Sequence, residues 1–149
     1  MADTRVQLEV EDWVRREWMP KRFGQQFFRE RVPLSPGGVF DFDAVSGDRK
    51  IVAAISTSGA VTASGKHAVG KMLKIRSDMY FLLLAEAERR LVVLTEKDMF
   101  DRCKKEAEGG RVPPSIEFVH AEIPSDLEAK LRTSRGNASN EVSPDRADD

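Results

Sequence analysis

The sequence is short of several things that would narrow its function. It has one cysteine, Cys103, and two histidines among 149 residues. A lone thiol closes no internal disulfide and makes no recognisable structural zinc site. No apolar run approaches the roughly 20 residues that span a bilayer; the longest strong one is "MYFLLLA", Met79 to Ala85. No membrane association is expected. The opening "MADTRVQLEVEDW" has no positively charged segment leading into an apolar one, so no secretory signal is expected, and a reducing cytoplasm is the expected setting. Excess charge is missing too. With 24 Lys and Arg against 25 Asp and Glu, bulk charge argues for no polyanionic partner.

What is present suits one compact domain. Hydrophobic residues make up 40% and charged residues 33%, an ordinary balance for a chain of this size with a solvated surface. Residues 1–131 read as a single domain. From Arg132 onward, "RTSRGNASNEVSPDRADD" is nearly without apolar groups and reads as a disordered polar tail, 132–149. The charge is uneven along the chain. Arg15, Arg16, Lys21, Arg22, Arg29 and Arg31 crowd the first part against Glu17 and Glu30, and Lys66, Lys71, Lys74 and Arg76 follow in a stretch without an acid. Two basic segments are thus available to meet on one face, while solvated charge around a neutral domain is the plainer alternative.

Apolar spacing supplies the elements. Val10, Trp13, Val14 and Trp18 recur at helical intervals over Glu9 to Met19, and Pro20 limits continuation. Gln25 to Leu34 looks extended. "GVFDFDAV" alternates as a strand with one face buried, "SGDR" turns, and "KIVAAIST" is a second strand of a hairpin. Gly65 to Asp78 reads as a helix. "MYFLLLA" and "RRLVVLT" read as two buried strands, Glu96 to Glu106 as a helix, "SIEFVHAEI" as an edge strand and Ser125 to Leu131 as a short closing helix. The expected fold is α/β, a mixed central sheet flanked by helices in the order α-β-β-β-α-β-β-α-β, closed by that short helix.

An opening helix, a strand bearing an acid in "FDFDAVSGDRKIVAAISTSG" (Phe40 to Gly59), a hairpin turn, a second strand and a basic helix together resemble the core of the PD-(D/E)XK nuclease superfamily, the restriction-endonuclease-like fold. The resemblance spans about Glu9 to Thr95. It implies an Asp near the hairpin and a carboxylate plus a lysine on the next strand, holding a divalent ion beside a scissile phosphate. Asp43 matches the first Asp and is the candidate metal ligand. Ala54 and Ser56 stand where the second carboxylate and the lysine are expected, so the motif is degenerate. If the protein is active, with Mg²⁺ as cofactor, Asp43, Glu17 and Lys71 are the candidate catalytic residues. Glu11 is a further candidate ligand, and Lys66 and Lys74 are alternative sources of a relocated lysine. The simpler reading is that Asp41 and Asp43 lie on the exposed face of a hairpin and that Glu11 and Glu17 solvate a helix.

Other chemistry finds less support. "GAVTASGKH" (Gly59 to His67) lies between a strand and a helix like a phosphate-binding loop, but five residues separate Gly59 from Gly65 where four are needed, and His67 stands where a Ser or Thr would bind Mg²⁺. What remains is a helix start with Lys66, suited to a phosphate oxygen. No carboxylate is placed to orient His67 beside Ser56, Ser58 or Ser64, and His120 lies in an alternating strand. Cys103 reads as core. Trp13, Trp18, Phe27 and Phe28 fit burial better than base stacking. The expected function is that of a catalytically degenerate nuclease-fold domain. It binds nucleic acid, through Lys66, Lys71, Lys74, Arg76 and Arg22, or a nucleic-acid-processing protein partner. An active nuclease with relocated catalytic groups, and a protein-interaction domain without nucleic acid, are the alternatives.

Overall fold

The computed structural model describes residues 5–61 and 68–142, with side chains as far as Ser134. Lys66 and His67 lie outside the described residues. The chain opens with α1 (Arg5–Trp13), passes through a π-helical turn (Val14–Trp18) and continues as α2 (Met19–Phe23). Pro20 does not stop this helix. The wide turn just before it, in which the Met19 N–H donates to the Val14 carbonyl, makes room where a proline ring would otherwise meet the carbonyl of Arg16. Gly24, in the left-handed region at φ 76°, ends the helix instead.

Five strands follow: β1 (Phe27–Pro33), β2 (Val39–Ser46), β3 (Ile51–Ser56), β4 (Arg89–Leu94) and β5 (Ile116–His120), in sheet order β1-β2-β3-β4-β5. The first three form an antiparallel meander. α3 (Val69–Leu84) crosses from β3 to a parallel β4, and α4 (Lys97–Glu108) crosses from β4 to a parallel β5. The chain therefore is α/β with a mixed sheet, as expected, but with one strand fewer.

The strand that is absent is "MYFLLLA". Met79 to Leu84 is the second half of α3, with Met79 and Leu82 buried while Tyr80 and Leu83 are exposed. That is the spacing of a helix lying on a sheet, and a short apolar run cannot be told from a buried strand by composition. The observed order is α-β-β-β-α-β-α-β-α, counting the helix through Phe23 as one. The closing helix, α5, runs Ser125–Val142, so the boundary expected after Leu131 falls within it.

The sheet has a core on each face. Phe42, Val45, Val52, Ala54, Val92 and Leu94 pack with Met72, Ile75 and Leu82 of α3 and Met99 and Cys103 of α4. On the opposite face Ala44, Ala53, Ile55, Leu91 and Val93 pack with Val10, Val14, Leu127 and Leu131. Ile51 to Ile55 of β3 and Leu91 to Leu94 of β4 are all apolar because packed elements cover both faces there.

Candidate functional site

The pairing of β2 is irregular at Asp43. Phe28 faces Val45 while Glu30 faces Phe42, so Asp43 and Ala44 lie opposite the single residue Arg29. This is a bulge, which twists a strand and re-aims a side chain. Beyond the pairs Ala44 to Ala53 and Val45 to Val52, the Asp43 carboxylate takes over from the backbone: its Oδ2 accepts the Ile55 N–H at 2.8 Å. The Asp43 carbonyl accepts from Arg15 Nε at 2.7 Å.

Arg15 also donates to Glu11 and Asp12, each at 3.4 Å. Glu11, one turn before Arg15 and half-buried, faces Asp43. Burial, the charge of Asp43 and a hydrogen bond with it push the Glu11 carboxyl up to about 7, against the opposing pull of Arg15. Near neutrality the two carboxylates hold a proton between them for much of the time. Asp78 of α3 joins this neighbourhood. It is 8% exposed, and burial raises its pKa, opposed by Lys74 and aided by the charge of Asp43. Lys74 Nζ is 2.5 Å from its Oδ1.

Asp78 and Lys74, with Ile55, whose N–H Asp43 accepts, line a cavity of about 840 Å³ at the carboxyl end of β3, together with Gln7, Ser56, Thr57 and Ser58, and Val69, Gly70 and Lys71 of α3. Its position outside the carboxyl end of a strand, where the chain turns into a crossover helix, is where open α/β sheets commonly bind ligands.

The sequence-derived candidates divide. Asp43 lies behind the cavity wall, bonded to Ile55, and Lys71 lines the cavity with no ion pair among the described residues. Lys74 lines it too but is committed to Asp78. Glu17 is elsewhere: it is exposed, on a second cavity with Trp13, Trp18 and Arg22, and Glu11 stands in the place expected for it. Arg76 turns to Glu106 of α4 at 3.7 Å. The Arg22 guanidinium lies 5.3 Å over the Phe23 ring, which Arg89 also covers at 5.2 Å. Arg22 thus sits toward the opposite end of the sheet from Lys71, where β3 and β4 begin. Lys66 lies outside the described residues.

Among the described residues the two basic segments do not merge, and much of the first is neutralised in place, with Arg16 on Asp12 and Arg29 on Asp41. Ala54 is core against α3, and Ser56 is half-buried on the cavity wall. Among the described residues no three His, Cys, Asp or Glu side chains form a group able to hold a metal ion. Glu11 and Asp43, one of whose oxygens is engaged by the Ile55 N–H, are the carboxylates that meet at this place.

Two members of the cluster were not found from sequence, Arg15 as the brace and Asp78 as the third acid. Asp78 left one trace, its position four residues after Lys74 on a predicted helix, the spacing of an ion pair. Set against known protein families, characterised proteins and solved structures, the chain matches none.

Proposed function

We propose that the chain is a divergent, catalytically degenerate restriction-endonuclease-like domain that binds nucleic acid by its phosphate backbone at the cavity between the end of β3 and the start of α3. The observation that carries this reading is the pair Lys71 and Lys74, on successive turns at the amino end of α3 and both on that cavity, beside the bulge that sets Asp43. A helix amino end adds its own positive potential to theirs. The antiparallel meander followed by a crossover helix and a parallel strand accords with the resemblance. Degeneracy follows from Ala54, packed in the core, and Ser56, on the cavity wall, standing where the second carboxylate and the lysine would be.

The surface is narrower than the sequence suggested, because Arg22 and Arg76 lie away from it. Affinity should be modest and strongly salt-dependent, with little regard to base sequence. The test is fluorescence anisotropy with short single- and double-stranded oligonucleotides across a salt series. The double variant Lys71→Ala, Lys74→Ala is expected to weaken binding and to flatten the dependence of log K on log salt by about one unit for Lys71 and by less for Lys74, whose charge Asp78 already opposes. No binding by the parent protein at low salt would hand the cavity to a protein partner. Cleavage with Mg²⁺ or Mn²⁺ that disappears in Asp43→Ala would overturn the degenerate assignment.

A further inference from the structure

A second cavity, of about 620 Å³, lies on the α1–α2 side and is lined by Trp13, Glu17, Trp18, Lys21, Arg22 and Glu122. The chain has two tryptophans, and both are in this wall. They stand at the two ends of the π-helical turn, Trp13 just before Val14 and Trp18 as its last residue. A π turn brings residues five apart to one side of a helix, where an α-helix would rotate them away from each other, and such turns recur at functional sites. The Trp18 ring is held by an edge contact to Phe23 at 6.2 Å, and Phe23 in turn by Phe27 at 5.8 Å. One aromatic wall is therefore braced against the core rather than free to swing.

The rim carries charge of both signs. Glu17, Lys21, Arg22 and Glu122 are exposed, and no ion pair within 4.0 Å joins any of them to a partner among the described residues, although the charge of Arg22 also acts on Glu117. The Arg22 guanidinium is instead steadied over Phe23. A ligand that satisfies this wall has a flat π face for indole, an anion for Lys21 and Arg22, and neighbouring N–H donors for a carboxylate. A nucleotide has all three. Among the bases, guanine offers two adjacent donors, N1–H and the 2-amino group, that match both oxygens of one carboxylate, whereas uracil presents one N–H between two carbonyl oxygens that repel it.

We propose that this cavity binds a guanine nucleotide, its base against Trp13 and Trp18 and read by Glu17 or Glu122, its phosphate on Lys21 and Arg22. The site is separate from the one at the end of β3, and its test does not depend on binding there. Because both tryptophans line it, quenching of intrinsic fluorescence, corrected for nucleotide absorption, reports occupancy directly. GMP, UMP and ribose 5-phosphate are the probes.

The expected result is quenching by GMP with a Kd at least about tenfold below that of UMP. Glu17→Gln combined with Glu122→Gln should erase that preference, and Lys21→Ala should weaken GMP and UMP alike; all three positions are exposed, so the variants should fold. A single strand with a 5′-phosphorylated guanine at its end, compared with GMP, tells whether a free nucleotide or a strand terminus is preferred. Equal binding of GMP, UMP and ribose 5-phosphate would reduce the site to an anion contact and overturn the proposal. So would the absence of quenching by any of them, or a GMP preference that survives loss of both carboxylates.

Discussion

Asp43 is both a hydrogen-bond acceptor for the main chain of β3 and, after burial, the charge that helps to keep a proton on Glu11, and the two roles can be separated by substitution. In Asp43→Asn the amide oxygen can still accept the Ile55 N–H, while the negative charge is gone. The Glu11 carboxyl is then expected to fall from about 7 toward its ordinary 4.5, which a carbon-detected NMR titration of the glutamate side chains would read. In Asp43→Ala the Ile55 N–H loses its partner at a largely buried position, and the cost should be about 1–3 kcal/mol. Equal stability of the two variants would show that the 2.8 Å contact contributes nothing, and an unmoved Glu11 would show that burial alone sets its proton affinity.

At the scale of elements, α5 has a structural role that its composition hides. Leu127 and Leu131 are buried against α1 and the sheet, Leu131 completely, and Ser134 is 6% exposed. Leu131→Ala should destabilise the protein by about 2–5 kcal/mol, the range for emptying a fully buried leucine site. Removal of 135–149, which contains Val142 as its one large apolar residue, should cost less than about 1 kcal/mol, since so little apolar surface cannot offset the entropy of ordering it. Urea denaturation of the two variants beside the parent separates these effects. A truncation as damaging as the leucine substitution would mean that the end of the chain docks on the core.

For the molecule as a whole, the carboxylate cluster sets a direction for stability against pH. Glu11 is held to about 7 in the folded protein from a usual 4.5, and Asp78 is raised as well, so the folded state binds more protons than the unfolded one across that window. The stabilisation from Glu11 is complete below 4.5 and is lost as pH rises through about 7. Glu117, lowered chiefly by its bond to Arg89, acts in the opposite sense, but below the ordinary carboxylate range and so outside that window. Glu11→Gln is therefore expected to flatten the decline between pH 5 and 8 and to be more stable than the parent at pH 8. A parent protein whose unfolding midpoint in urea rises over that interval would contradict the assignment.

What could be read along the chain was what depends on near neighbours. The strand in "GVFDFDAV", the turn at "SGDR" and the amphipathic pattern of α4 each declare themselves within a few residues, because side-chain period and turn chemistry are local properties; the bulge, which is not local, puts Phe42 and Ala44 on opposite faces where the alternation put them on one. So does the absence of a carboxylate and a lysine at Ala54 and Ser56. Tertiary packing decided the rest. Seven apolar residues at Met79 to Ala85 are compatible with strand or helix, and the need to lay α3 across the sheet settled all but Ala85 as helix. Pro20 forbids a regular helix, but a widened turn absorbs it once α1 and α2 are held against the sheet. Glu11 rather than Glu17 meets Asp43 because that choice depends on how a helix is rotated over strands 32 residues away, and no local period encodes such a rotation.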